Sequence, residues 1–159
     1  MEYKLISPEY DAAVAHIIRR NLEAYGLNIQ GTAYYDEALD HLSEYYEHPE
    51  RAYYVLTDEG EVIGGVGFGE CAFFDKCCEL QKLYLKDSVK GRGLGYGMLD
   101  FIEERAAEKG YRRIYLETHH VLKTAIHVYE RRGYLRIERP DSVVHSTMDR
   151  FFIKELRER

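Results

Sequence analysis

The sequence predicts a mixed α/β domain, and three observations carry that reading. The 159 residues fit one domain, which would bury roughly 68 to 70% of the surface its unfolded chain exposes, enough for a core without staples. Short runs with strand-like composition, bounded by Gly, Pro and Asp turns, occur between segments of helical period. No repeat or linker interrupts the order, which runs strand, two helices, three strands, helix, strand, helix, two strands.

Tyr3 to Ile6 reads as the first strand and Ser7-Pro8 as a helix start. Tyr10 to Tyr25 follows as an amphipathic helix with Val14, Ile17, Ile18 and Leu22 on one face, closed by Gly26. A second helix is expected over about Asp36 to Glu47, with Leu39, Leu42, Tyr45 and Tyr46 as its apolar positions and His48-Pro49 as its stop. Ala52 to Thr57 and Val62 to Phe68, joined by Asp58-Glu59-Gly60-Glu61, form a hairpin, in which Gly64, Gly65, Gly67 and Gly69 mark a bulge or a close backbone approach.

A third strand runs from about Cys77 to Leu85, and Asp87 to Gly93 is a loop. Leu94 to Lys109 is a helix with Leu94, Met98, Leu99, Phe101, Ile102 and Ala106 inward, stopped by Gly110. After a strand over Arg113 to Thr118, Thr124 to Arg132 forms a short helix with Arg131 and Arg132 in its last turn and Gly133 beyond it. Tyr134 to Glu138 and about Met148 to Leu156 close the chain as an antiparallel pair.

Composition narrows the function. The chain is 45% hydrophobic and 31% charged with 13 Gly and 3 Pro, the balance of an ordinary globular protein. Cys71, Cys77 and Cys78 are an odd set with two adjacent, which suits neither a disulfide framework nor a zinc site built on paired spacings, and a cytoplasmic setting is the simplest. The first residues run straight into a strand and no stretch approaches 18 apolar residues, so neither a signal peptide nor a membrane span is expected. A formal charge of -6 argues against nucleic acid as the main partner and favours a cationic substrate through long-range attraction.

No metal is expected: His119-His120 follow a strand edge without a second ligand cluster and read as polar loop residues. His127 falls on the exposed side of its helix, and His145 in the late loop contacts substrate or caps a turn. The oligomeric state is open, a homodimer being one form.

The chemistry concentrates in Lys90-Gly91-Arg92-Gly93-Leu94-Gly95-Tyr96-Gly97, where glycine occupies every second position between a strand and a helix. Bare backbone N–H groups at a helix start attract anions, and glycine removes the Cβ that would hold phosphates away. Arg92 adds a cation. Counted from Gly91 the dinucleotide spacing fails at Tyr96, counted from Gly93 it fails at Met98, and the Walker Gly-Lys-Ser/Thr is missing. A flexible turn into a helix is the plainer reading of the spacing.

Lys90 to Gly95 resembles the coenzyme A loop of the GCN5-related N-acetyltransferase (GNAT) family, written Q/R-x-x-G-x-G/A, with Lys in the first place. The likeness runs with motifs from about Val62 to Gly133. It implies a mostly antiparallel sheet of about six or seven strands with a splayed central pair, flanked by about four helices. It further implies acetyl-CoA as cosubstrate, its pyrophosphate on the amides of Arg92 to Tyr96 and its pantetheine arm on the backbone of Leu83 and Leu85.

Two side chains complete the expected site. Strand alternation puts Glu79 on a face with Gln81, Leu83 and Leu85, opposite Leu80 and Tyr84. A lysine-like amine with a pKa of about 10.4 must lose its proton before attack, at roughly 4 to 5 kcal/mol near neutral pH, so a general base is needed. Members of the resembling family often carry a base at this strand position, which makes Glu79 the leading candidate. The other reading is a strand-end Glu paired to a neighbouring Lys or Arg, and Glu117 is the rival carboxylate.

Leu122, Ala125, Ile126 and Tyr129 follow the i, i+3, i+4, i+7 rule, so periodicity alone makes Tyr129 the end of an apolar stripe. Ala125-x-x-x-Tyr129-x-x-x-Gly133-Tyr134 resembles the second motif of the same family, in which the tyrosine hydroxyl serves the departing thiolate. The Asn usual three residues before the Ala is Leu122 here. The resulting expectation is an acyltransferase that passes acetyl to a primary amine of a small molecule or peptide in a ternary complex. A non-catalytic acyl-CoA-binding regulatory module, or an enzyme using another acyl-CoA or a hydroxyl acceptor, is the alternative.

Overall fold

The computed structural model describes residues 1–143 and 146–157. β1 (Glu2–Leu5), β2 (Ala52–Asp58), β3 (Glu61–Glu70) and β4 (Cys77–Leu85) are successive antiparallel neighbours. β5 (Arg113–Thr118) runs parallel to β4, a pairing that needs a crossover, and α3 (Leu94–Glu108) supplies it. β7 (Arg150–Glu155) lies between β5 and β6 (Leu135–Ile137), antiparallel to both, which gives the sheet order β1-β2-β3-β4-β5-β7-β6. Among the described residues no helix is long and apolar enough to cross a membrane.

Strand alternation divides the core between the two faces of the sheet. Ala52 and Leu56 of β2 join Val66, Phe68, Leu80, Ile114, Leu116 and Phe152 beneath Met98, Leu99, Ile102 and Ala106 of α3. Tyr53 and Val55 face the other way, packing with Val14, Ile18 and Leu22 of α1 (Asp11–Ala24) and with Leu39 and Leu42. α4 (Lys123–Arg131) adds Ala125, Ile126, Val128 and Tyr129 to the α3 side.

The predicted second helix is the element that differs. Its segment breaks into 3-10 turns at Ala33–Tyr35 and Leu39–His41 and a single α turn, α2 (Leu42–Tyr45). His41 takes φ -136°, which interrupts the helix, and the freed backbone is satisfied from α1: the Asp11 carboxylate accepts from the Ser43 amide (2.9 Å) and hydroxyl (2.6 Å). A capping carboxylate from a neighbouring element thus outweighs the local period.

Two of the hairpin glycines allow a close approach. Tyr53, fully buried, lies across β3 so that a Cβ on Gly65 would meet its hydroxyl at 2.5 Å, and one on Gly67 would meet the Ala52 carbonyl at 2.5 Å. Gly67→Ala is therefore expected to lower the unfolding free energy by about 2–4 kcal/mol in urea denaturation. Gly97→Ala, in α3 with its nearest neighbour at 3.9 Å, is the contrast: it should be neutral or gain up to about 1 kcal/mol.

Candidate active site

The site begins where β4 and β5 part. They pair at Cys77↔Arg113, Cys78↔Ile114 and Glu79↔Tyr115, and then diverge. The cause lies one strand over: β3 pairs Gly65 with Tyr84 and Gly67 with Gln81, leaving Lys82 and Leu83 together opposite Val66. Lys82 takes φ +51°, a left-handed conformation that costs a non-glycine residue about 1–2 kcal/mol. Two contacts hold it there and a third secures the strand beyond it. The Tyr53 hydroxyl donates to the Lys82 carbonyl (2.8 Å), the Lys82 ammonium sits 3.2 Å from the Asp36 carboxylate, and Asn21 Nδ2 donates to the Leu85 carbonyl (2.9 Å). A bulge bends its strand, and here it carries β4 away from β5.

The bulge also corrects the expected faces. The extra residue reverses the alternation, so Leu83 and Leu85 join Leu80 on the α3 side while Tyr84 turns to the α1 side, the face of Glu79 and Gln81.

A cavity of about 610 Å³ fills the opening. Leu83, Tyr84 and Leu85 form one wall, Leu116 to Thr118 of β5 and Tyr129 of α4 the other, and Lys90, Gly91 and Gly93 to Tyr96 lie at one end. Leu27 and Met148 line it too, where the Thr147 hydroxyl donates to the Gln30 carbonyl (2.8 Å) and ties two loops together. A second cavity, about 710 Å³ between α3 and the end of β7, is walled by charges already paired, among them Lys154 with Glu103 (2.7 Å) and Arg132 with Asp100 (3.0 Å). The forked cleft is the one that combines apolar walls with convergent polar groups.

At the loop end, Gly91 and Gly93 take φ +79° and +75°, conformations glycine adopts without strain. Gly93 is the cap residue of α3 and offers no side chain, and the first turn holds no acid. The leading N–H groups are thus left for an anion or water. Lys90 is pinned to Asp87 (2.9 Å), which offsets part of its charge. Arg92 is exposed and stands outside the cavity wall, unlike the other loop residues Lys90 to Tyr96.

Tyr129 lines the cleft from α4, is 7% exposed, and among the described residues its hydroxyl has no hydrogen-bond partner. Burial, with Tyr84 beside it, pushes its phenol pKa up and keeps the proton on oxygen. The motif's other tyrosine, Tyr134, is an anchor: its hydroxyl donates to Glu103 (3.0 Å), which also holds Lys154. Leu122 sits at the start of α4, where it offers no cap.

The carboxylates divide. Glu117 reaches the cleft wall, accepting from the Tyr115 hydroxyl (2.9 Å) and Ser146 hydroxyl (3.2 Å). Glu79 stands at the last β4–β5 pair, outside the wall, and accepts from Gln81 Nε2 (2.8 Å), whose Oε1 in turn accepts from Tyr46 (2.8 Å). Among the described residues Glu79 forms no ion pair, so the strand-end pairing with Lys or Arg is not what holds it. Burial pushes its pKa up to about 7, and the charge of nearby Glu117 adds to the rise while Gln81 opposes it.

The histidines gain a neighbour that sequence spacing does not reveal. Asp149 accepts from the His120 amide (2.9 Å) and from His120 Nδ1, and lies 4.0 Å from His119 Nε2, a grouping of metal-ligand types. His119 Nδ1 accepts from the Val121 amide (3.2 Å), so the neutral ring carries its proton on Nε2 and presents a donor to Asp149. The Asp149 amide also bonds the Thr118 carbonyl (3.0 Å), and the group clamps the β5–α4 loop onto the start of β7. His145 lies outside the described residues. Of the tyrosines near the N-terminus, Tyr46 is core, while Tyr25 and Tyr35 are exposed.

A mixed seven-stranded sheet, forked beside an uncapped helix start, is also the architecture of known acetyltransferases. A family model described as the acetyltransferase (GNAT) family matches residues 14–134, and the chain belongs to that family. Over 128 residues it is 39% identical to the uncharacterized N-acetyltransferase YjgM of Escherichia coli strain K12, covering 79% of this chain and 77% of that protein. A GNAT-family acetyltransferase of Staphylococcus aureus Mu50 matches with a TM-score of 0.82 at 18% identity, over 98% of this chain and 99% of that one. The Salmonella typhimurium protein yncA, solved with its cofactor acetyl-CoA, matches at 0.77 and 18% identity, over 100% and 95%. The fold is that of these acetyltransferases.

The raised pKa of Glu79 has a sign that stability measurements read. A carboxyl whose folded pKa lies above its unfolded value of about 4.5 favours the fold when neutral, and that contribution is lost as pH rises through about 7. Glu79→Gln should therefore gain stability relative to the parent between about pH 5 and pH 8, by roughly 1–3 kcal/mol in urea titrations. A difference that stays constant with pH would return Glu79 to an ordinary carboxylate.

Proposed function

We propose that the chain is a single N-acetyltransferase domain that binds acetyl-CoA in the forked cleft and passes the acetyl group to a primary amine of a small molecule or peptide. The observation that carries this reading is the shared cleft: uncapped α3 amides at one end, an unpartnered phenol in the wall, and a carboxylate beside it. The acetyl-CoA described for the Salmonella relative supports the choice of cosubstrate.

The amine attacks the thioester carbonyl directly in a ternary complex, and no side chain carries the acyl group. The amides of Arg92 to Tyr96 receive the pyrophosphate, and the backbone of Leu83 and Leu85 receives the pantetheine arm. The Leu83 amide, beside the bulge, polarises the carbonyl. Glu117 receives the incoming ammonium, and Glu79, with a pKa of about 7, takes its proton through water. Tyr129 donates to the departing thiolate; a thiol is the stronger acid, so the phenol acts mainly by stabilising that charge.

Free thiol should appear when acetyl-CoA is supplied with a panel of polyamines, amino acids, aminoglycosides and peptides. Coenzyme A binding without turnover on any acceptor would favour a regulatory module. Tyr129→Phe should lower kcat by about 10²-fold or more and leave acetyl-CoA affinity within about twofold; an unchanged kcat would return Tyr129 to a packing role. In the parent, kcat/KM should rise with pH through about 7, and Glu79→Gln should remove that limb.

A further inference from the structure

Outside the cleft, the β3–β4 hairpin ends on a pair of thiols that the proposed reaction does not use. The register Gly69↔Glu79, Glu70↔Cys78 brings Cys71 opposite Cys77 at the next step. Directly opposed antiparallel residues have Cα atoms roughly 4.5–5.5 Å apart, within the span of about 4.4–6.8 Å that a disulfide bridges.

The side chains meet as the register requires. Cys71 packs against a small cluster formed by Cys77, Tyr115, Val143 and Phe151, with Cys77 buried and Cys71 partly open to solvent. The turn between them is held closed by Phe73, edge-on to Tyr115 at 5.3 Å, and by Lys76 at φ +49°. Cys78 points to the opposite face, fully buried in the α3-side core.

The two thiols are chemically unequal. A hydrogen bond from Cys77, aided by the amides of Phe73 and Phe74, holds the Cys71 thiol below its ordinary pKa. The same contact and burial push Cys77 up. An accessible thiol with stabilised thiolate beside a buried partner is the arrangement in which one sulfur is oxidised and the other resolves it. Packing of two small apolar side chains accounts for the burial of Cys77, but not for a second thiol, partly open to solvent, standing directly opposite it in the hairpin register.

We propose that Cys71 and Cys77 are a peroxide-oxidisable pair that closes into a reversible disulfide across the base of the β3–β4 hairpin. The Cys71 thiolate attacks one oxygen of hydrogen peroxide; the O–O bond breaks, leaving Cys71 as a sulfenic acid, and the expelled hydroxide is protonated to water. The Cys77 sulfur then attacks the Cys71 sulfur, the S–O bond breaks, and the departing hydroxide leaves with the Cys77 proton as a second water. Two thiols and one peroxide thus give one disulfide and two waters, the two electrons having reduced the peroxide. The bridge would sit two residues before Glu79 and on its face of β4.

The test uses the full chain and does not depend on acetyl transfer. Protein exposed to a few-fold excess of hydrogen peroxide is denatured, its free thiols are alkylated, and it is digested without reduction. Trypsin cuts after Arg51, Lys76 and Lys82, so the disulfide joins peptides 52–76 and 77–82. The expected result is that joined pair with Cys78 alkylated, reversed by dithiothreitol, retained in Cys78→Ala and lost in both Cys71→Ser and Cys77→Ser. Three alkylated thiols, a bond to Cys78, a Cys71-linked dimer, or Cys71 sulfinic acid beside a free Cys77 would each overturn the proposal.

Discussion

The bulge at Lys82 is the constraint on which the rest of the structure depends. A regular β4 would continue its parallel pairing with β5 and fill the sheet; one extra residue bends it, and the gap becomes the cleft. The left-handed backbone of Lys82 is unfavourable alone, and the residues that hold it come from distant elements: Tyr53 from β2, Asp36 from the segment before α2, and, further along the strand, Asn21 from α1. Gly65 and Gly67 leave room for the Tyr53 ring to cross β3. The glycine-rich hairpin, remote in sequence from the loop before α3, thereby shapes the same cleft.

The electrostatics of the cleft are ordered along its length. Amides without acids or caps lie at the start of α3, suited to negative charge. An uncharged phenol, kept protonated by burial, stands in the α4 wall. Two carboxylates supported by neutral donors stand at the fork. Burial of Glu79 and, after it, the charge of nearby Glu117 drive the Glu79 carboxyl toward neutrality, which suits it to the base role proposed above.

Much of this is legible in the sequence because it is local. β4, β5, α3 and α4 fall within a residue or so of the predicted spans, and the two helices have a helical period and a Gly just beyond their ends, Gly110 and Gly133. The glycine turn into α3, with Gly93 as its cap, is legible for the same reason. What is not legible depends on partners far along the chain. Lys82 carries no mark of a left-handed residue, so the reversed alternation that places Leu83 and Leu85 is visible only once the β3 register is known. Asp149 beside His119 and His120, Ser146 on Glu117, and Asp11 on Ser43 are likewise long-range contacts that no spacing rule reaches. Cys71 and Cys77, an unpromising odd set by count, become a pair only through the hairpin register.

Hydrogen exchange with and without acetyl-CoA tests the open strand most directly. If the forked cleft holds the cosubstrate along β4 with its pyrophosphate on the start of α3, the amides of Leu83 to Leu85 and of Arg92 to Tyr96 should slow together on binding, while the groove between α3 and β7 stays unchanged. Protection confined to that groove, or binding that leaves the β4 amides untouched, would contradict it.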